Sequence, residues 1–308
     1  MVTQKPLLVC IVGPTAIGKT ALSINLAKHF QTEILSADSR QFYQEMTIGT
    51  AVPSKMELDS VPHHFIQHKS VLDDYSVGDF ERDAINCLEQ LFQEHPLVFL
   101  VGGSGLYVDA IVTGLDDFPE VLPNVREQLN EEFQQKGLES LQKELNEKDP
   151  DYFQQVDAQN PQRIIRALEV IRSSGKPFSS FRKNKKTTRH FDVIYLGLDA
   201  DREVVYQRIN DRVDAMMESG LLEEAQHLYV HRRRNALQTV GYRELFDYFD
   251  GNSTLPEAVS EIKKNTRRFA KRQGTWFRKN NEIHWFDWET PYEEIVNFIK
   301  ETLTPKKG

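Results

Sequence analysis

Eight residues near the amino end, Gly13-Pro14-Thr15-Ala16-Ile17-Gly18-Lys19-Thr20, do most to limit what this chain can fold into. They satisfy the spacing GxxxxGK[ST]. The continuous apolar run Leu7–Val12 precedes them, and a helical pattern over Lys19–Phe30 follows. Strand, glycine turn and helix in that order form the unit of a parallel α/β sheet. The glycines let backbone N–H groups converge on phosphate oxygens beside the positive end of the helix. A chance match is expected in only about 1% of chains this long at average composition. Lys19 is placed to neutralise phosphate charge and Thr20 to hold Mg²⁺. The spacing does not say which molecule carries the phosphates.

Alternation continues beyond this unit. Residues 33–36 read as a short strand, 79–94 as a helix with Phe80, Ala84, Leu88 and Leu91 on one face, and Leu97–Val101 as another buried strand. The pattern then breaks, and residues 116–189 contain nothing like a buried strand. Residues 125–136, 138–146 and 161–173 read as amphipathic helices, followed by a Ser/Lys/Arg-rich stretch. A strand resumes at residues 193–198, with helices over 202–217, 221–229 and 255–272, a strand at 283–286 and a closing helix at Tyr292–Leu303. The expected fold is therefore α/β, a P-loop NTPase-like parallel sheet flanked by helices. Residues 1–115 and 190–308 form its core domain, and 116–189 an inserted all-helical domain.

With 39% hydrophobic residues the chain can build a sizeable core, which excludes wholesale disorder. No apolar run approaches the ~18–20 residues needed to span a bilayer, so no membrane partner is expected. Cys10 and Cys87 stand apart, with no metal or disulfide spacing, which suggests a reducing cytoplasm. The net charge of −8 argues against a nucleic-acid partner until its distribution is read. Residues 163–189 carry +8 and residues 263–279 another +8, leaving −24 for the remainder. A polyanion feels such patches rather than the mean, because charges are screened beyond about 8 Å at physiological salt. Either run can also be read as an ordinary solvated helix face.

Most chains with this loop act on a nucleotide γ-phosphate and place an acid at the end of a second strand to hold Mg²⁺. Here Leu97–Val101 runs into Gly102-Gly103-Ser104-Gly105 without a carboxylate. The nearest acid is Asp38, in Ser36-Ala37-Asp38-Ser39-Arg40-Gln41, where a turn residue, a metal ligand and a general base are all open readings. His63, His64 and His68 cluster without completing a metal site and read as structural. Phe269, Trp276 and Phe277 read as core, whereas Leu106 and Tyr107 divide evenly between core and pocket lining.

Six ordered blocks carry a resemblance. They are the loop at 13–20; Ala37-Asp38-Ser39-Arg40-Gln41 with Ile48-Gly49-Thr50-Ala51; Val101-Gly102-Gly103-Ser104-Gly105-Leu106-Tyr107; Asn160-Pro161-Gln162-Arg163-Ile164-Ile165-Arg166-Ala167-Leu168-Glu169; Val240-Gly241-Tyr242-Arg243-Glu244-Leu245; and Thr266-Arg267-Arg268-Phe269-Ala270-Lys271-Arg272-Gln273. Together they resemble the bacterial tRNA dimethylallyltransferase (tRNA isopentenyltransferase) family over residues 7–279. Departures are Ile17 for the usual Ser, Ser104 for Thr and Gly274 for Leu.

The resemblance implies transfer of a dimethylallyl group from dimethylallyl diphosphate to N6 of the adenosine immediately 3′ of the tRNA anticodon. The loop Gly13, Pro14, Thr15, Ala16, Ile17, Gly18, Lys19 and Thr20 then holds a departing diphosphate, with Mg²⁺ on Thr20. Asp38, Lys19 and Thr20 become the catalytic set. A carboxylate at Asp38 suits the reaction because exocyclic N6 is a weak nucleophile that must lose a proton as it bonds. The resemblance also implies tRNA contacts at Asp38, Ser39, Arg40, Gln41, Ser104, Arg126, Gln162, Arg163, Ile164, Ile165 and Arg166, the last five and Arg126 lying in the inserted domain. A monomer is expected. A P-loop nucleotide or small-molecule kinase and a non-catalytic nucleotide-dependent RNA-binding protein are the rival readings.

Overall fold

The computed structural model describes residues 5–122, 124–182 and 187–303; Lys183, Lys185 and Lys186 of the basic stretch lie outside them. In chain order the elements are β1 (Leu7–Val12), α1 (Lys19–Phe30), β2 (Ile34–Ser36), α2 (Lys55–Ser60), β3 (His63–His64), α3 (Val77–Glu94), β4 (Leu97–Val101) and α4 (Gly105–Thr113). Then come α5 (Val125–Lys148), α6 (Pro150–Phe153), α7 (Pro161–Ser174), β5 (Asp192–Asp199), α8 (Arg202–Glu218), α9 (Leu221–Leu228), α10 (Tyr242–Phe249), α11 (Leu255–Phe277), β6 (Ile283–Asp287) and α12 (Tyr292–Leu303).

The chain divides into two units, Met1–Thr113 with Thr188–Gly308, and Gly114–Thr187. Each boundary lies two residues before the position expected from the break in strand–helix alternation.

In the first unit six parallel strands form one sheet in the order β3-β2-β4-β1-β5-β6. Every residue of β1, β2 and β4 is buried, as continuous apolar runs in a doubly covered sheet require. Alternation sorts them by face. Leu8, Cys10 and Val12 pack with Phe42, Phe80 and Val108 on one side, and Leu7, Val9 and Ile11 with Leu26, Ile295 and Ile299 on the other. Each such burial contributes about 1.5–3 kcal/mol. The chain passes from β1 to β2 and returns through β4 between them. The carboxyl ends of β1, β2 and β4 therefore open together where the strand order reverses, the usual ligand crevice of open α/β sheets.

The second unit is helical and has its own core, in which Leu129, Leu141, Leu145, Ile164, Ile165 and Leu168 are fully buried. Two helices were expected over 125–146. α5 runs through both, but Gly137 is non-helical at φ 75° and kinks it there. Asn160 caps α7 by accepting the amides of Gln162 and Arg163, with Pro161 in the first turn.

Candidate active site

The phosphate-binding turn joins β1 to α1 and needs left-handed backbone at Ala16 and Gly18. Gly13 approaches β5 so closely that a Cβ there would lie 2.4 Å from the Leu198 carbonyl oxygen. Ile17 turns its side chain inward, onto Leu198, Val205 and Ile209, which explains why an apolar residue is tolerated there. Lys19 Nζ donates to the carbonyls of Gly13 and Pro14, at 3.0 and 2.7 Å. Burial pulls its ammonium down to about 8; Asp38 opposes this and Arg212 adds to it.

Two cavities meet at this crevice. The smaller, about 260 Å³, is lined by residues 15–20, Ser36, Asp38, Gln41, Thr50, Ala51 and Arg212. The larger, about 420 Å³, is mostly apolar and lined among others by Leu106, Tyr107, Met216, Val240, Phe269 and Trp276. Thr15, Asp38, Thr50, Ala51 and Arg212 belong to both. Asp38 thus stands where a polar, phosphate-sized chamber joins a chamber suited to a hydrocarbon group and a base. Its Oδ1 accepts the Arg40 amide at 3.1 Å, and its own amide donates to Ser36 Oγ at 3.3 Å. It is both a turn residue and a cavity residue.

The neighbouring expected contacts have structural partners. The Ser39 amide donates to Ser104 Oγ at 3.2 Å, and Arg40 Nη1 donates to the carbonyls of Asn235 and Ala236 at 3.2 and 2.9 Å. Gln41 Nε2 donates to the carbonyls of Thr50 and Ala51.

Two expectations need correction here. Phe269 and Trp276 are not core. They are 38% and 40% exposed and, two helical turns apart with Arg272 between them on the same face of α11, line the larger cavity; only Phe277 is buried. Trp276 Nε1 donates to Asp109 Oδ2 at 3.0 Å, and its ring lies over Gly105, where a Cβ would meet it at 2.2 Å.

The basic run on α11 is also partly spent on local pairs. Lys263 pairs with Asp214, Lys264 with Glu261 and Arg278 with Asp199.

The three histidines have different surroundings. His64 Nε2 bonds Glu33 at 2.6 Å, and His68 sits among Phe42, Phe65 and Tyr75, with burial pulling it down to about 4. His63, read as structural, lines the smaller cavity.

In the helical unit, Arg126, Gln162 and Arg166 come together through buried Glu169. Arg126 Nη1 and Arg166 Nη1 both donate to Glu169 Oε2, at 3.3 and 2.8 Å, and Arg126 Nη2 to Gln162 Oε1 at 3.1 Å. Arg163 is exposed beside them. Ile164 and Ile165 are fully buried, so their side chains form core and cannot be RNA contacts. Arg172 and Arg189 of the basic stretch are held by Glu132 with Glu144, and by Glu81, respectively.

A family model described as IPP transferase matches residues 41–280. A protein of Flavobacterium johnsoniae described as a tRNA dimethylallyltransferase is 58% identical over 302 residues, covering 96% of this chain and 98% of that protein. The chain belongs to the IPP transferase family. A tRNA dimethylallyltransferase of Bacteroides fragilis is 46% identical over 98% of this chain. The crystal structure of the tRNA isopentenylpyrophosphate transferase of Bacillus halodurans matches with a TM-score of 0.72 at 40% identity, covering 97% of both chains. A eukaryotic dimethylallyltransferase, described as acting on tRNA, matches with a TM-score of 0.82 at 25% identity, covering 98% of this chain and 81% of that one.

In this IPP transferase family member, three polar residues at the crevice were not assigned from sequence. Arg208 and Arg212, one turn apart on α8, reach the phosphate loop. Arg208 Nε donates to the Ala16 carbonyl at 2.8 Å and Arg212 Nη1 to Thr15 Oγ1 at 3.3 Å. Gln273 accepts the Thr15 amide at 2.9 Å and donates to the Gly103 carbonyl at 2.9 Å. The Thr15 amide, expected to face phosphate, is therefore occupied. The spacing of the two arginines on a helix following a strand is their signal in the sequence, which does not by itself set α8 beside the phosphate loop.

Proposed function

We propose that this protein transfers a dimethylallyl group from dimethylallyl diphosphate to N6 of the adenosine immediately 3′ of a tRNA anticodon. The observation that carries the reading is Asp38 on the shared wall of a polar and an apolar cavity. The relatives' descriptions name a dimethylallyl group and tRNA, and prenyl transfer needs two such chambers with an acid between them. A γ-phosphate kinase has no evident use for the apolar one.

The diphosphate occupies the polar cavity, where Lys19, Arg212 and the loop amides beyond Thr15 stabilise the charge that accumulates as it leaves. The bond between the allylic carbon and the diphosphate oxygen breaks with its electron pair going to diphosphate. The N6–carbon bond forms, and the N6 proton passes to the Asp38 carboxylate. The adenine must leave its stack to reach this point, and the exposed rings of Phe269 and Trp276 at the larger cavity give a flipped base a surface to rest on. Arg126, Gln162, Arg163 and Arg166 offer a polar, cationic face to the RNA loop.

The oxygen donors of the polar cavity, the hydroxyls of Thr20 and Ser36 and the carboxylate of Asp38, suit Mg²⁺. Among the described residues no three acids, histidines or cysteines gather, which fits an ion completed by phosphate oxygens and water. When bound, with Thr20 as its protein ligand, Mg²⁺ supplies positive charge to the leaving diphosphate. No helix among the described residues is long and apolar enough to cross a membrane. We place the reaction in the cytoplasm, with the protein acting as a monomer.

The test is direct. Incubated with Mg²⁺, dimethylallyl diphosphate and unmodified tRNA, the protein yields N6-dimethylallyladenosine detectable by mass. ATP turnover without transfer would replace this reading with a kinase.

A further inference from the structure

Two sequence blocks, residues 48–51 and 240–245, have no role in the chemistry above, and the structure joins them. Thr50 and Ala51 line both cavities, and Gly49 lines the larger. This stretch belongs to no helix or strand, and Ala51 has a left-handed φ of 51°. Its hold comes from α9. Glu224 Oε2 accepts the amides of Thr47 and Ile48 at 2.9 and 2.7 Å. Its Oε1 accepts the amide of Gly49 at 2.9 Å and the hydroxyl of Tyr242 at 2.7 Å.

Three consecutive backbone N–H groups thus converge on one carboxylate, a charge-assisted arrangement stronger than neutral pairing. Tyr242 is fully buried, and its ring lies so near Gly49 that a Cβ there would be 2.7 Å away, so only glycine lets the loop come this close. Gln41, three residues after Asp38, holds the carbonyls of Thr50 and Ala51. The turn that bears Asp38 is therefore linked through residues 47–51 to α9 and α10. Glu224 itself lines neither cavity.

We propose that Glu224 is a positioning residue for the transfer reaction: its carboxylate, held by Tyr242, clamps the amides of residues 47–49 and so fixes Thr50 and Ala51 as the wall common to both substrates. The proposal rests on the prenyl-transfer reading. It gives the glycine at 49, the glutamate at 224 and the tyrosine at 242 a single purpose.

Glu224→Gln keeps the shape but replaces one acceptor oxygen with a donor amide, so the clamp cannot hold all four hydrogens. A misplacement of about 1 Å can cost about 100-fold in rate, and a kcat fall of about 10- to 100-fold is expected, with KM for tRNA within about twofold. Hydrogen exchange at the amides of residues 47–49, measured without substrate, is expected to quicken about tenfold or more, since their acceptor is weakened. Leu228→Ala, which opens a core site on the same helix, controls for lost stability; it should lower Tm yet leave kcat and this exchange near wild type below its melting range. Tyr242→Phe keeps the ring and removes one donor, and serves as the second variant if Glu224→Gln does not fold; it should speed the same exchange more mildly.

Unchanged exchange at residues 47–49 in the foldable variant overturns the clamp. So does a loss that appears in KM for tRNA, or one that Leu228→Ala reproduces at equal distance below Tm. A wild-type protein that transfers no prenyl group would instead remove the functional reading, while the exchange measurement still decides the clamp.

Discussion

Asp38 and Lys19 face the same polar cavity with opposite charges, and the part proposed for each has its own measurable signature. A positioned base typically contributes about 10²–10⁴-fold, so Asp38→Ala should lose transfer by that order while tRNA binding, measured by filter retention, stays within about threefold. Full activity in that variant would remove Asp38 from the mechanism. Lys19 sits in the fold at about 8 against its ordinary 10.5. The unfolded chain thus binds its proton more tightly, and without ligand this group adds stability as pH rises from about 8 to 10.5. A diphosphate favours the ammonium form, so binding above pH 8 must draw in a proton. Affinity for inorganic diphosphate, followed by calorimetry in two buffers, should therefore fall as pH rises through about 8, and Lys19→Gln should flatten that slope. The positions of these residues at the phosphate loop and just after the second strand were legible from short-range spacing, whereas the base role of Asp38 came from the resemblance alone. Arg212 and Gln273 were not, since each reaches the loop from an element more than 190 residues away in sequence. Ile164 and Ile165 show the opposite failing. A segment-level resemblance swept them in, although their helical phase with Leu168 and Ile171 already marks them as core.

Among elements, α7 carries two kinds of surface on one cylinder. Its inward stripe builds the core of the helical unit, and its first two turns present Gln162, Arg163 and Arg166. Replacing Arg163 and Arg166 with Ala should weaken tRNA binding and reduce the slope of log affinity against log salt by about 1–2, because each phosphate contact adds roughly 0.7–0.9 to it. An unaltered slope would mean these side chains do not meet phosphate. Long buried strands and strongly amphipathic helices were readable from periodicity, and α1 and α12 begin and end where the pattern places them. Of the short elements, β2 and α9 were readable and others were not. β3 has two residues, too few for alternation, and α4 and α10 each start at a glycine-bearing turn that reads as loop. The missed α4 and α10 carry residues of the larger cavity and of the Glu224 clamp.

For the whole molecule, the organisation into a sheet-bearing unit and a helical insertion was visible because strand–helix alternation stops and restarts. The two chain crossings are neighbours in the sheet-bearing unit. Arg189 Nε donates to the Ile111 carbonyl at 2.7 Å, its Nη2 to Ala110 at 2.8 Å, and it pairs with Glu81. A chain in which residues 115–187 are replaced by a short Gly/Ser linker should therefore fold, melt cooperatively and still bind inorganic diphosphate, while losing tRNA affinity and transfer. Failure of the shortened chain to fold would show that the sheet depends on the insertion. That one guanidinium works as a clasp: whatever leaves the body at residue 111 and returns at 189 can lengthen, shorten or change its surface without pulling the strands out of register. Over generations the intervening helices are then free to be retailored, while the workshop behind the clasp keeps its tools.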